Sequence, residues 1–378
     1  MRTDEMPVLE LKGAPRERGL THGETLRDKI RDNLRLMKED ISRSHAVEAG
    51  TAIDEFLRDT HFIPAIERWT PGLHDELKGI AEGSGCQLHD ILALNFTDEL
   101  WCYGIKTRAG EWKGPYNKCT CAAAFGQEGL PTLSGQNMDI PHWHDGHQVL
   151  LRIKHEQGLE SMVFSSAGLI ALNGLNNQGI GITVNAIFEL DHASTGLPVA
   201  FVIRGALEKR TFAEAVDFIC TVPHASGQNY LIAGAERVIS LECSAGRVVP
   251  FELGDHPGRL WHANQALIND DRDIFEQLVE GMPEKKYKRQ FLNSAARVNA
   301  VKERIADPSQ AVTVETLKQV FSSRDNPDFP VSYHYDVNAG ILGFTAGCAI
   351  YEISGSSPPV LHLAAGPPDM TEFRTFRF

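Results

Sequence analysis

The chain has 378 residues, 42% of them hydrophobic and 23% charged, and 37 Lys and Arg against 50 Asp and Glu give a formal net charge of −13. That balance excludes disorder, collagen-like repeats and coiled coil as the main architecture. The acidity is spread without blocks of like charge, which argues against nucleic acid or an anionic membrane as partner. No run approaches the ~20 apolar residues of a membrane span, and the N-terminal stretch carries acids and no apolar signal core, so the expected location is cytoplasmic.

Helices come first. Leu26, Ile30, Leu34 and Met37 recur at helical spacing, as do Leu73, Leu77 and Ile80 before Gly83 and Gly85 break the pattern. Another apolar helix starts at Leu88, and Lys106 to Lys118, with two Gly and a Pro, reads as a surface loop. From residue 119 the texture changes to short apolar or alternating runs punctuated by Gly, Pro and Asn. CAAAFG, LPTLSG, QVLLRIK, SMVFSS and GIGITVNAI are strands, with a turn at Asn176-Asn177-Gln178-Gly179. Helices are expected at 198–210 and 211–220, the second opened by the capping box Thr211-x-x-Glu214. Strands at 229–234, 237–243, 247–252 and 259–263 follow, then helices at 271–281, 288–306 and 313–322. Paired strands near 341–353 and 359–364 close the chain. Strands in runs and helices in runs make the fold class α+β.

The seven cysteines, at 86, 102, 119, 121, 220, 243 and 348, are odd in number and widely spread, so no disulfide framework is read from them. Dinucleotide-binding, Walker, HExxH and GxSxG signatures are absent. Two candidates for chemistry remain. One is the cluster Pro141-His142-Trp143-His144-Asp145-Gly146-His147. Its three histidines are spaced as in the HxHxDH motif of metallo-β-lactamase-like hydrolases, but the Asp lies one place early and Gly146 fills its position. A metal-dependent hydrolase using His142, His144 and His147 is therefore the alternative reading. In the main reading His142, Trp143 and His144 wall a substrate pocket.

The other candidate is Cys119, which follows a polar stretch and heads a small-residue strand; the next strand ends in Gly135-Gln136-Asn137-Met138-Asp139. A nucleophile at the head of a strand, with a carboxylate and amides on the next, suits a chain that cuts itself before the nucleophile. The freed α-amine, with an ordinary pKa of about 7.7–8.0, is then the general base, and no histidine partner is needed.

At these residues the sequence resembles the acyl-coenzyme A:6-aminopenicillanic acid acyltransferase (isopenicillin N acyltransferase) family of N-terminal nucleophile hydrolases. The markers are Glu76-Leu-Lys-Gly-Ile-Ala-Glu-Gly-Ser-Gly, Asp90-Ile-Leu-Ala-Leu-Asn, Cys119-Thr120, Gly135-Gln-Asn-Met-Asp139 and Ala167-Gly-Leu-Ile. Gly179-Ile-Gly-Ile-Thr-Val-Asn185-Ala, Thr195-Gly-Leu-Pro followed by Arg204, and His262-Ala-Asn264 continue the series. The resemblance implies a four-layer αββα sandwich, built from a helical α-chain of residues 1–118 and a catalytic β-chain of residues 119–378 cut from one precursor. It implies Cys119 as nucleophile, Asp139 as the carboxylate orienting the α-amine, Asn264 as oxyanion donor and Asn185 as a second amide beside the nucleophile. Gln136 stands where the related bile-salt hydrolases carry arginine. The family often has Gly before its nucleophile; here the residue is Lys118. The implied activity is hydrolysis or transfer of an acyl group at a small-molecule amide, with no metal and no dissociable cofactor. Whether the chain forms a homo-oligomer is left open.

Overall fold

Every strand run read from the sequence takes its place in one of two sheets. The structure, a computed structural model, describes residues 6–45, 47–107, 119–126, 129–279 and 284–378. In chain order it has β1 (Val8–Leu11), α1 (Pro15–Thr25), α2 (Arg27–His45), α3 (Ala49–Asp59), α4 (Ile63–Trp69), α5 (Pro71–Ser84), α6 (Leu88–Asn95) and α7 (Thr97–Thr107). Then come β2 (Thr120–Ala124), β3 (Thr132–Pro141), β4 (Gln148–Lys154), β5 (Glu160–Ser166), β6 (Asn173–Asn176) and β7 (Gly181–Ala186). After α8 (Val199–Leu207) and α9 (Phe212–Thr221) run β8 (Gln228–Ala233), β9 (Val238–Cys243), β10 (Val248–Phe251) and β11 (Arg259–His262). The chain ends with α10 (Asp273–Val279), α11 (Glu284–Ile305), α12 (Val314–Phe321), β12 (Gly343–Ile353), β13 (Val360–Ala364) and β14 (Arg374–Arg377).

One sheet has the order β1-β4-β5-β6-β7-β8-β9-β10 and the other β11-β2-β3-β12-β13-β14. All neighbours pair antiparallel except β1, which runs parallel to β4. β2 and β3 face β7 and β8 across the sandwich, α8 and α9 cover the first sheet, and α11 and α12 cover the second. This is the αββα arrangement. Strands β2, β3, β5 and β7 are buried along almost their whole length, since each has a sheet on one face and a helix or sheet on the other. That is why they read as apolar runs with little alternation. The capping box forms as expected: Glu214 N–H donates to Thr211 Oγ1 (3.2 Å) and Thr211 N–H to Glu214 Oε2 (2.9 Å).

The N-terminal portion is not helical throughout. Its strand β1 pairs Val8 to Leu11 with Leu150 to Ile153, so residues on both sides of position 119 share one sheet. Helices α1 and α5 cross at backbone contact, because a Cβ on Gly19 would stand 1.9 Å from Glu76 O and one on Gly79 2.2 Å from Arg16 O. That crossing accounts for Gly79 and Gly83 of the Glu76 motif, and Gly85 caps α5 in a left-handed conformation. Glu76 itself binds Arg204 of α8 through both oxygens (2.7 and 3.0 Å) and Arg18 of α1 (3.0 Å), all three buried. Burial would raise the Glu76 pKa, but Arg204 and Arg18 outweigh it and bring it down to about 2. The motif therefore ties the helical layer to the sandwich. Among the described residues no helix is long and apolar enough to cross a membrane.

Candidate active site

Cys119 sits immediately before β2, buried, at the head of the strand where the backbone passes from loop into ladder. Its backbone N–H donates to Asn264 Oδ1 (2.7 Å) and its carbonyl accepts from Arg297 Nη1 (2.5 Å). The thiol lies 3.6 Å from Met138 Sδ and accepts from the backbone N–H of Asp139. Burial, and after it the Asp139 carboxylate, push the thiol pKa well up, so the resting group at neutral pH is S–H.

The neighbours come from four separate elements. Asp139, in β3, stands opposite Thr345 of β12, whose hydroxyl donates to Asp139 Oδ1 (2.6 Å). The β12 register shifts between Thr345 and Gly347, a bulge alongside Asp139 and Met138 that re-aims side chains at this point of the sheet. Asn264 follows β11. Its Oδ1 takes both the Cys119 N–H and Arg297 Nη2 (2.9 Å), and its Nδ2 donates to Ala186 O at the end of β7 (2.9 Å). An amide nitrogen carries two protons, and the hydrogen bond to Ala186 O uses one of those on Asn264. Arg297, in α11, also donates to Thr120 Oγ1 (2.8 Å) and Asn293 Oδ1 (2.8 Å). One buried guanidinium thus fixes both the Cys119 carbonyl and the amide that holds the Cys119 nitrogen.

The loop carrying Asn264 has its own anchor. Glu242 of β9 is fully buried and accepts from His262 Nε2 (2.8 Å) and from the backbone N–H groups of Leu267 (2.8 Å), Ile268 (3.0 Å) and Asn269 (2.8 Å). Burial alone would raise its pKa, but His262 and these amides hold it below the ordinary glutamate value. His262 Nδ1 meets Ala263 O (2.7 Å), one residue before Asn264.

Asn185 is placed differently from the expectation. Its Oδ1 accepts from Cys121 Sγ (2.8 Å) and Asn229 Nδ2 (3.0 Å), so its side chain lies with Cys121 between the sheets. The strand period explains this: the cavity beside Cys119 is lined by Val184 and Ala186, the residues either side of Asn185. Gln136 is likewise a clip between sheets, accepting from Asn173 Nδ2 (3.1 Å) and Val184 N (3.3 Å) and donating to Val184 O.

The three histidines of the 142–147 cluster do not converge. His142 Nδ1 meets Leu342 O (3.1 Å), His144 Nδ1 meets Ser166 Oγ (2.9 Å), and His147 contacts Trp143 O (2.9 Å) and Asp32 (3.2 Å). Among the described residues no group of three His, Cys, Asp or Glu side chains is arranged to hold a metal ion. Trp143 points into the core and donates to Asp40 (3.3 Å). Of the three expected pocket residues only His144 reaches the cavity that Cys119 lines. That cavity, of about 60 Å³, lies where α6 and α8 meet both sheets, and most of its wall is apolar, including Leu94, Met138, Ile140, Val184 and Ile203. Asp98 and Gln228, hydrogen-bonded to each other (2.9 Å), are among its few polar residues.

Arg297, which contacts the Cys119 backbone, is a residue of this site that sequence reading missed. Its signal is faint but physical: at spacings of four it falls on the same helical face as Val301 and Ile305, both buried, where a guanidinium has no reason to be unless something inside receives it.

Comparison with known proteins adds a family. The family model described as acyl-coenzyme A:6-aminopenicillanic acid acyl-transferase matches residues 126–353, a span that holds Asp139, Asn185, Asn264 and Arg297 and begins after Cys119. The acyl-coenzyme A:6-aminopenicillanic-acid-acyltransferase 40 kDa form of Emericella nidulans is 25% identical over 261 residues, 68% of this chain and 69% of that one. Among solved structures, a variant of conjugated bile acid hydrolase from Clostridium perfringens superposes with a TM-score of 0.41 and 11% identity over 69% of this chain and 97% of that one. Penicillin V acylase from Agrobacterium tumefaciens gives 0.40 and 14%, over 69% and 86%.

Proposed function

The chain belongs to the acyl-coenzyme A:6-aminopenicillanic acid acyl-transferase family of N-terminal nucleophile enzymes, and from that premise we propose that it is a self-processing cysteine amidohydrolase or acyltransferase acting on a small-molecule amide. The observation that carries the reading is the hydrogen bond from the Cys119 nitrogen to Asn264 Oδ1, at the mouth of a largely apolar cavity that the same cysteine lines. A peptide nitrogen held by a side-chain acceptor in this way is already oriented for life as a free amine.

In the proposed cycle the precursor breaks at Lys118-Cys119, a bond that lies outside the described residues on its Lys118 side, giving chains 1–118 and 119–378. The Cys119 sulfur then adds to the substrate carbonyl while its proton passes to the Cys119 α-amine, which Asn264 Oδ1 and Asp139 orient. The oxyanion takes the spare Asn264 N–H. Collapse expels the substrate amine, which carries away the proton from the α-amine and leaves a thioester on Cys119. Water, or a second amine, adds to the thioester and the thiol is restored. Because burial keeps the thiol protonated near neutrality, the route needs a base that takes this proton as the sulfur adds, and a free α-amine, with an ordinary pKa of about 7.7–8.0, has the lone pair to do so.

Denaturing mass spectrometry tests the reading. By proportion from 41.8 kDa, wild type should give fragments of about 13 and 29 kDa, the larger starting Cys-Thr-Cys-Ala, and Cys119→Ala one uncut chain. A fully active wild type that stays intact would refute it.

A further inference from the structure

Two consecutive acids, Asp98 and Glu99, lie in the first turn of α7, and both reach from the N-terminal portion into residues that follow Cys119. We propose that Glu99 is a positioning residue for Asn264: through Ser226 and Gln228 it fixes the end of β7 to which the Asn264 amide is tied. The N-terminal portion then takes part in holding the catalytic amide. The consequence for catalysis rests on the proposed reaction at Cys119; the placement of Asn264 does not.

Glu99 is 2% exposed. Its Oε1 accepts from Ser226 Oγ (2.6 Å) and from the Val199 N–H (3.0 Å). Ser226 Oγ in turn accepts from Gln228 Nε2 (3.3 Å), which also donates to Asp98 (2.9 Å). Gln228 opens β8, where it stands opposite Ala186, the last residue of β7. One residue further on, the Ile187 N–H donates to Gly227 O (2.9 Å), which latches the two strand ends together. Ala186 O is the acceptor for Asn264 Nδ2 (2.9 Å), and Asn264 Oδ1 holds the Cys119 nitrogen (2.7 Å). Glu99 is thus joined to Cys119 by hydrogen bonds and one strand register.

The Val199 contact has a separate effect. Val199 is the first residue of α8, and Pro198 before it supplies no side-chain cap. A helix leaves its first N–H groups without partners, and an acid oxygen brought from α7 satisfies this one. Val199, Ala200 and Ile203 of α8 line the cavity beside Cys119. One carboxyl group therefore holds two pieces of the site, the α8 wall and the end of β7. Burying it is costly: desolvation, followed by repulsion from Asp98, raises its pKa to about 7. An apolar side chain would fill the space without that cost, so the acid is explained by the two donors it accepts. Both use Oε1, so a proton on Oε2 leaves them in place, and glutamine preserves the same carbonyl oxygen.

Three variants of the full chain separate these contacts. Glu99→Leu removes both, Ser226→Ala removes only the arm toward Asn264, and Glu99→Gln keeps an acceptor at the Oε1 position. Two readouts are taken on each folded protein. One is the NMR signal pair of the Asn264 side-chain amide in protein carrying isotope-labelled asparagine, identified by its loss in Asn264→Asp. The other is kcat and KM for an N-acyl p-nitroanilide. Glu99→Leu and Ser226→Ala should both move the Asn264 signals and lower kcat roughly 3- to 10-fold, the size of one hydrogen bond. Only Glu99→Leu should also raise KM, through the loosened α8 wall, and Glu99→Gln should restore most of both constants. A Glu99 that merely stabilises the fold would leave the Asn264 signals and kcat of the folded variants unchanged, and that result overturns the inference. A Glu99→Gln protein as impaired as Glu99→Leu overturns it too. If Glu99→Leu does not fold, Ser226→Ala carries the same test. A wild type that cleaves no amide sinks the proposed reaction, and the Asn264 signals then decide the inference alone.

Discussion

Asn264 has two functions on one amide, and substitution can separate them. Its oxygen holds the Cys119 nitrogen and Arg297, while its nitrogen holds Ala186 O and has one N–H to spare. Asn264→Asp keeps an oxygen at the first position, facing the same guanidinium, and deletes the donor. An oxyanion-hole donor contributes about 2.7–4 kcal/mol of barrier lowering, so kcat should fall roughly 100- to 1,000-fold. Stability should fall by about 1–3 kcal/mol, because Ala186 O loses its donor, while Arg297 compensates the new carboxylate. Asn264→Ala removes both functions and leaves a buried Arg297 N–H and the Ala186 carbonyl unmet, which costs about 2–5 kcal/mol of stability in addition to activity. The assay is p-nitroaniline release from an N-acyl p-nitroanilide, with urea unfolding and intact mass on the same preparations. An Asn264→Asp protein within fivefold of wild-type kcat would refute the assignment of the donor, and an Asn264→Ala protein of wild-type stability would refute the account of the network.

Cys119→Ala should abolish amide cleavage while Cys121→Ala, which loses its contacts to Asn185 and Asn229, keeps a substantial fraction of it; equal loss in both would point to a paired-thiol site instead. Glu242→Gln, nearly isosteric, should weaken the 267–269 loop anchor by about 2 kcal/mol and lower kcat with little change in KM, and unchanged kcat in a well-folded variant would show that the anchor does not reach Asn264. Glu99 of α7 is buried, and desolvation followed by repulsion from Asp98 raises its pKa from 4.5 to about 7. Folding therefore favours its protonated form. The associated stability is full below pH 4.5 and lost as pH rises to about 7, a change of no more than about 3 kcal/mol. Glu99→Gln should flatten that part of the stability profile, measured as urea midpoint against pH, and a profile identical to wild type would remove Glu99 as its source.

Much of this fold is legible in the sequence because its layers impose strong local patterns. β2, β3 and β7 are covered on both faces and read as continuous apolar runs, and α9 announces itself through Thr211 and Glu214. β1 was missed because four residues with the burial pattern exposed-buried-exposed-buried carry too little signal, and its partner β4 lies some 140 residues on. β6, Asn173 to Asn176, was missed because three of its four residues are amides or glycine and the last opens the turn read at 176–179. The site divides in the same manner. Cys119, Asp139 and Asn264 sit in short motifs whose order is informative. Arg297 lies mid-helix in a segment of ordinary composition, and only long-range geometry places it on Cys119. The placement of Asn185 turned on strand parity: a residue of the right type on the right strand still faces one side, and its side chain went to Cys121.

The same geometry bears on why the proposed chemistry would use an amine and not a histidine. His144, in the Cys119 cavity, has its Nδ1 engaged by Ser166, and burial keeps the ring from taking up a second proton. Asp139 is bound by Thr345 and raises the thiol pKa, so it opposes a resting thiolate. Arg297, the cation nearest the Cys119 backbone, spends its donors on carbonyl, hydroxyl and amide oxygens. What is left with a suitable pKa and a position fixed beside the sulfur is the nitrogen of Cys119 itself, in the same residue as its nucleophile and held by Asn264. As a peptide nitrogen it has no basic lone pair. Breaking the bond to Lys118 is then the step that creates the base, and an uncut chain with every side chain in place should be inert.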